Sequence, residues 1–218
     1  MPGLFRYILK LMARLIAGID EAGRGAVLGP LVVAGALFKD DKDVFEVLSV
    51  AGVRDSKLLT PDRRRELARL VSRLAVSRAI FRIIPAKLDN ESLNQLEINY
   101  TARLINRLEP HSVYLDVPAS GKGIKRYCDR VQGLCVNSSV QIVGGNKFDT
   151  NNIIVAAASI LAKEAREKAI RALHKKYGDF GSGYPSDPRT QEWLRAWSKQ
   201  NSQWPNIVRT KWATISNL

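Results

Sequence analysis

Cysteine is nearly absent: Cys128 and Cys135 are the only two in 218 residues. Two thiols make no disulfide framework, and their spacing is not that of a CxxC knuckle. They read as buried free thiols of a reducing compartment, which makes the cytoplasm the expected location. Histidine is as scarce, with His111 and His174 alone, so a zinc centre built on nitrogen and sulfur is disfavoured. A metal here would have to be held by oxygen, which selects magnesium or manganese. No run reaches the ~18 apolar residues of a membrane span, so no membrane partner is expected. Repeats and low-complexity linkers are missing too. Acid is missing at both ends, with none before Asp20 and none after Glu192.

What is present is globular and basic. Hydrophobic residues are 45% and charged residues 25%, an ordinary balance that excludes disorder, collagen and coiled coil as whole-chain descriptions. Thirty-four Lys and Arg stand against twenty-one Asp and Glu, a net charge of +13. Such a surplus favours a polyanionic partner, above all nucleic acid, over a protein that is merely basic. In the first residues Arg6, Lys10 and Arg14 recur every four positions among Leu4, Phe5, Ile8 and Leu9. A cationic amphipathic helix fits that spacing. The duller reading, which we prefer, starts translation at Met12 and makes residues 1–11 an extension with little role in the fold; the domain boundary is drawn so that residues 1–13 precede the catalytic domain.

The rest of the chain reads as strands and helices of one α/β domain with a mixed sheet. Leu15 to Ile19 is a short buried strand ending at Asp20. Leu31 to Phe38 is a second strand. The acidic stretch Asp40, Asp41, Asp43 reads as a solvated connection. Thr60-Pro61-Asp62 opens a helix with an N-cap, a first-position proline and a first-turn acid. Arg78 to Ile84 alternates charged and apolar residues as a third strand, ended by Pro85. Leu93 to Leu108 and Ile124 to Val131 are helices. Ser112 to Leu115 is a strand ending at Asp116, and Val140 to Val143 is a fifth. Asn152 to Tyr177 is a long, alanine-rich helix stopped by Gly178. Gly181 to Pro188 is turn-rich, and a small basic helical tail with four tryptophans completes the chain.

The candidate chemistry lies in carboxylates. Asp20 and Asp116 each end an apolar strand, where a carboxyl is driven towards neutrality unless a cation is near. Asp20 and Glu21 would face opposite sides of a continuing strand, and both could face one site if the chain turned at the glycines that follow. Asp149 precedes the long helix. Oxygen ligands of this kind suit hard cations, and two ions about 4 Å apart can activate water and stabilise a leaving oxygen in phosphodiester hydrolysis. An ordinary strand end, a turn starter and a helix cap are the competing structural readings. Gly23-Arg24-Gly25 is not a dinucleotide fingerprint, because Pro30 and a strand follow rather than a helix. It offers backbone open to close approach beside one guanidinium. The plain alternative is a tight turn with Arg24 paired to Glu21. Lys57, in Asp55-Ser56-Lys57, could seek phosphate, and Tyr184 could stack on a sugar or base.

Taken together the motifs resemble ribonuclease HII, most closely in its archaeal form. The resemblance rests on Ile16 to Gly25 (IAGIDEAGRG), Val53 to Leu58 (VRDSKL), Tyr114-Leu115-Asp116, Ala157 to Lys163 (AASILAK), Gly181 to Pro188 (GSGYPSDP) and Trp204 to Arg209 (WPNIVR). It implies a ribonuclease H-like fold with a five-stranded mixed sheet flanked by helices. It divides the chain into residues 14–180, catalytic, and 181–218, a C-terminal helical region that binds substrate. It implies hydrolysis of RNA paired to DNA, and cleavage on the 5′ side of ribonucleotides embedded in duplex DNA, leaving 3′-hydroxyl and 5′-phosphate. The family's metal-binding acids fall on Asp20, Glu21, Asp116 and Asp149, with Mg2+ or Mn2+ as cofactor. Its loop reading the 2′-hydroxyl falls on Gly23, Arg24 and Gly25, its stacking tyrosine on Tyr184, and its phosphate contacts on Lys57 and Arg166. A monomer is implied, with a sliding clamp as a further candidate partner. Two departures stand out: Val117-Pro118-Ala119 follows Asp116 where another acid is frequent, and Asn146-Lys147-Phe148-Asp149 replaces a His-Lys-Ala-Asp pattern. The same residues leave two rivals, another nuclease of this fold and a non-catalytic nucleic-acid-binding protein.

Overall fold

The structure is a computed structural model that describes residues 13–53 and 59–218. The amphipathic reading of the first residues, the Met12 start and Lys57 therefore lie outside the described residues.

Strand β1 (Leu15–Ala22) pairs antiparallel with β2 (Leu31–Lys39), which pairs antiparallel with β3 (Ser77–Ile83). On its other side β1 pairs parallel with β4 (Ser112–Asp116), and β4 pairs parallel with β5 (Gln141–Gly145). The sheet order is β3-β2-β1-β4-β5, five strands and mixed. Central β1 is buried on both faces, which is why its sequence is a continuous apolar run rather than an alternation.

One face of the sheet carries Leu15, Ala17, Ile19, Val113 and Leu115 and packs on α4 (Leu93–Leu108) and α5 (Lys122–Gln132). The other carries Ile16, Val32, Ala34 and Phe38 and packs on α7 (Ile153–Tyr177), α1 (Lys42–Val50) and α2 (Pro61–Leu74). Helix α7 approaches β1 so closely that a Cβ on Gly18 would fall on the Ile154 carbonyl. The alanines at 156–158 and 162, all buried, allow that approach.

The acidic stretch after β2 is no loose connection. Asp41 caps α1, its carboxylate accepting the Asp43 N–H at 2.9 Å, and Asp43 supplies the first-turn acid. Pro85 ends β3 and also opens a short helix, α3 (Pro85–Asn90), since a first-position proline gives up no needed donor. A one-turn helix, α6 (Phe148–Asn151), precedes α7. Cys128 and Cys135 are free and half-buried rather than fully enclosed. His111 accepts the Leu15 N–H, and His174 faces the Gly181 carbonyl.

The tail contributes α8 (Pro188–Gln200) and the short α9 (Ala213–Ser216). Phe180, Leu194, Ile207 and Val208 share an apolar cluster with Val27, Leu28 and Ile170. The tail is thereby seated on α7 and on the segment that follows β1.

Candidate active site

The carboxylates gather at one end of the sheet because parallel strands end together. Ile19 pairs with Leu115, so Asp20 and Asp116 are the next residues on neighbouring strands. Asp116 pairs with Gly145, the last residue of β5, and its Oδ1 accepts the Phe148 N–H at 2.8 Å. That bond ties down α6, which carries Asp149. Asp20 is 5% exposed and Asp149 4%.

The turn that was to bring Asp20 and Glu21 together does not exist. Strand β1 continues through Ala22, with Asp20 opposite Ala34 and Glu21 opposite Val33. The two side chains therefore leave opposite faces. Asp20 points to α7, where Ser159 bonds it, and its Oδ1 also accepts the Glu21 N–H at 2.7 Å. Glu21 lies on the side of Arg24 and Tyr127, within their fields.

The acids still act on one another across the strand end. Burial raises the Asp20 carboxyl above the ordinary range, and Asp116 and Asp149 raise it further against the hydrogen bond from Ser159. Burial raises Glu21 as well, with Asp20, Asp116 and Asp149 adding to it and Arg24 opposing. As the side chains stand, no three His, Cys, Asp or Glu among the described residues enclose a common metal point. The donor set nevertheless fits a hard divalent cation. It is all oxygen, Asp20 and Asp149 are buried and Glu21 and Asp116 partly so, and its members raise one another's pKa.

Next to the acids is a cleft of about 410 Å³ lined by Glu21, Gly23, Arg24, Gly25, Arg166 and Tyr184 among others. Sequence reading expected these residues to meet, and they do. Gly23 has φ +89°, and a Cβ there would strike the Arg166 side chain, so no other residue fits. Gly25 is exposed with open space above it. Arg24 does not pair with Glu21 as the plain alternative had it. It bonds Glu97, and its Nη2 donates to Asn94 Oδ1 at 2.7 Å, both partners on α4. Tyr184 lies over the Arg166 guanidinium, 4.7 Å from its ring centre. Arg166 itself is 4% exposed, its Nη2 donating to the carbonyls of Leu28 and Ser182.

Three contributors escaped sequence reading. Glu97, 2% exposed, holds Arg24. Ser159 holds Asp20. Arg209, fully buried, donates to the carbonyls of Gly23, Arg24 and Gly29. Ser159 and Arg209 fall within segments that carried the resemblance, but no periodicity or spacing marks their roles. Glu97 looks like any charged residue on a helix.

Comparison with known proteins meets this geometry. The family model described as Ribonuclease HII matches residues 17–215. The ribonuclease HII of Pyrococcus furiosus is 41% identical over 207 residues, covering 93% of this chain and 90% of the relative. The crystal structure of ribonuclease H2 from Pyrococcus horikoshii OT3 superposes with a TM-score of 0.85 at 38% identity, covering 93% of this chain and 96% of the other. RNase HII of Archaeoglobus fulgidus, solved in complex with PCNA, gives 0.83 at 39% identity, covering 93% and 95%. A buried carboxylate cluster at the strand ends, a glycine-arginine-glycine loop beside it, and likeness over nearly the whole chain lead to one assignment: the chain belongs to the ribonuclease HII family.

Proposed function

We propose that this ribonuclease H-type endonuclease hydrolyses the RNA strand of RNA–DNA hybrids and also cuts on the 5′ side of single ribonucleotides embedded in duplex DNA, leaving a 3′-hydroxyl and a 5′-phosphate. The observation that carries the reading is the opening of the Gly23–Gly25 loop and Tyr184 into the same cleft as Glu21, at the sheet end where Asp20, Asp116 and Asp149 are found.

Asp20, Glu21, Asp116 and Asp149 would hold Mg2+ or Mn2+, two ions in all. When bound, such ions supply a water nucleophile at neutral pH and stabilise charge on the leaving oxygen. Ser159 and the Phe148 N–H fix the directions of Asp20 and Asp116. Arg24 and the open backbone at Gly25 face the 2′-hydroxyl, the one chemical mark that separates RNA from DNA at a given base. Tyr184, backed by Arg166, stacks against the sugar at the junction. Arg166 is buried, so its part is to carry Tyr184 and to add positive field to the cleft; Lys57 is the phosphate contact of this reading. The enzyme acts as a monomer in the cytoplasm in genome maintenance. Its likeness to the Archaeoglobus fulgidus protein supports a sliding clamp as partner. No described helix is long and apolar enough to cross a membrane.

The test is an end-labelled DNA duplex with one ribonucleotide, incubated with Mg2+ or Mn2+, with and without chelator. A metal-dependent nick only at the 5′ side is expected. Asp20→Asn should abolish the nick and leave hybrid binding intact. Full turnover by that variant refutes the metal assignment. Cleavage of branched all-DNA substrates instead would move the chain to another nuclease activity of the fold.

A further inference from the structure

A second basic surface lies outside the cleft. Strand β3 is an edge of the sheet, and Arg78, Ile80 and Arg82 project from one face of it. Helix α2 ends two residues before β3 begins, and the two share the lining of one hollow. It presents Arg65, Arg69 and Arg73 at intervals of four, on one helical face. With Lys168 of α7, these six cations line a hollow of about 600 Å³ with Ile80 and Leu161 in its floor. Arg69, Arg73, Arg78, Arg82 and Lys168 are exposed, and among the described residues none of the five makes an ion pair. The one acid lining the hollow, Glu164, is engaged by Arg171 at 2.9 Å.

Five exposed cations that make no ion pair among the described residues repel one another, and the one carboxylate lining the hollow is shared with Arg171. An edge strand is often guarded by charge, but that explains Arg78 and Arg82 and not the row on α2. The two rows are nearly equal in length. Eight residues of helix from Arg65 to Arg73 span about 12 Å, and four residues of strand from Arg78 to Arg82 span about 13 Å. Either length is between three and four steps of about 3.4 Å along one strand of a duplex. The surface is also continuous with the cleft. Arg64, one residue before the first of the row, lines the cleft and meets Glu167 at 3.7 Å.

We propose that the hollow between α2, β3 and α7 is a second polyanion site that takes the backbone phosphates of the nucleic-acid duplex beyond the cleaved bond. It rests on the nuclease reading above for the identity of that duplex. Phosphate contact by arginines carries no base information, so the site adds affinity and salt sensitivity without altering where the strand is cut.

The experiment compares the wild type with Arg69→Gln/Arg73→Gln/Arg78→Gln on a 30-base-pair duplex carrying one ribonucleotide. Binding is read by anisotropy in Ca2+ at several salt concentrations, and turnover in Mg2+. The triple variant is expected to bind at least tenfold more weakly at low salt. Its slope of log affinity against log salt should be shallower by about 2.7, at about 0.9 per lost phosphate contact. KM should rise with kcat and the cut position unchanged. Arg69→Lys/Arg73→Lys/Arg78→Lys should restore most of the slope. Lys39→Gln/Lys42→Gln/Lys175→Gln removes as many charges elsewhere and should leave the slope within one unit of wild type. An unchanged slope in the Gln triple variant overturns the proposal, as does an equal loss in the control; an acidic protein partner would then be the remaining occupant. A wild type that binds with this salt dependence yet cuts nothing would overturn the nuclease reading alone.

Discussion

Replacing Arg209 by methionine should destabilise the protein by about 3–5 kcal/mol, the net of three lost hydrogen bonds from a charged donor and one charge no longer buried. Arg209 is fully buried, and each of its three guanidinium nitrogens donates a hydrogen bond. Nη2 donates to Gly23 O at 2.7 Å, Nη1 to Arg24 O at 2.9 Å and Nε to Gly29 O at 3.2 Å. Hydrogen bonds from a charged donor are worth about 1.5–3 kcal/mol each, or roughly 4.5–9 kcal/mol for three. Against that, the variant no longer buries a charge. Burial, and then the neighbouring Arg166, pulls the Arg209 guanidinium down to about 9, so releasing it returns part of the loss. Methionine keeps an apolar stem of similar length but loses the guanidinium that lies over Trp212, 5.0 Å from the ring centre. A chain of this length loses about 2–4 °C of Tm per kcal/mol, so the midpoint should fall by about 10 °C.

The assay is urea unfolding at fixed protein concentration, with m checked for constancy. Arg209→Lys serves as the intermediate case: one ammonium replaces a planar fork aimed at three carbonyls, and about half the loss is expected. The functional readout separates loop geometry from bulk stability. Well below the midpoint, cleavage at a single embedded ribonucleotide should fall more than cleavage of a long hybrid, because the carbonyls of Gly23 and Arg24 are the ones set free. A Met variant within about 0.5 kcal/mol of wild type, the ordinary range of a surface substitution, would refute the claim that this cation holds the loop.

Glu97→Gln should lower single-ribonucleotide cleavage about tenfold, equivalent to about 1.4 kcal/mol, and leave urea stability nearly unchanged. Its Oε2 anchors Arg24, whereas its buried Oε1 has no hydrogen-bond partner; wild-type kinetics would exclude the anchoring role. Gly18→Ala places a methyl on the Ile154 carbonyl, a backbone clash that should cost about 3 kcal/mol or more in the urea midpoint, at the upper end of overpacking. A shift below a quarter of that would mean α7 yields freely. Asp187→Ala removes the α8 cap, whose oxygens accept the N–H groups of Ser182 at 2.7 Å and Arg189 at 3.0 Å, at a cost of about 1 kcal/mol. Bonds from Ser182 and then Arg189 hold the Asp187 carboxyl below the usual range, so its contribution is present above the unfolded pKa near 3.9 and is lost as pH falls through the folded value. The gap between Ala and wild type should close in acid; a gap that persists at pH 2 would show that the carboxylate charge is not its source.

The sequence told most where local rules and tertiary demands agree. Thr60-Pro61-Asp62 opens α2 as its capping chemistry requires, and Leu93–Leu108 is helical over the whole expected range. Asp20 and Asp116 were visible because each interrupts a buried apolar strand. The misses have a common physical origin. Asp41 and Asp43 look like solvent-facing residues of a loop, but α1 is held by a cap and by the one buried residue Leu48, and nine residues give little periodicity. Glu21 was expected to need a turn, because an alternating strand sends neighbours apart. The strand runs straight on, and Asp20, Asp116 and Asp149 nevertheless raise the Glu21 carboxyl from across its end. Glu97 and Arg209 were invisible as functional residues because nothing in a string of letters distinguishes a buried charge from a solvated one.

The way the Gly23–Gly25 loop is held follows from its chemistry. Gly25 gives the cleft open backbone, and neither it nor the buried Gly23 has a side chain with which to fix the loop. The tail does it instead. Gly183 O accepts the N–H groups of Val27 and Leu28, Ile207 O accepts that of Gly29, and Arg209 takes the carbonyls of Gly23 and Arg24. A carboxylate partner for Arg209 would have been the cheaper way to bury a cation. It would also have set another negative charge close to acids that already raise one another's pKa. Carbonyl dipoles satisfy the hydrogen bonds and leave the charge uncancelled. With Arg166, whose hydrogen bonds also go to carbonyls, it adds positive charge behind the loop side of the cleft. The acid-free tail beyond Glu192 is therefore as much a part of the cleft's electrostatics as of its architecture.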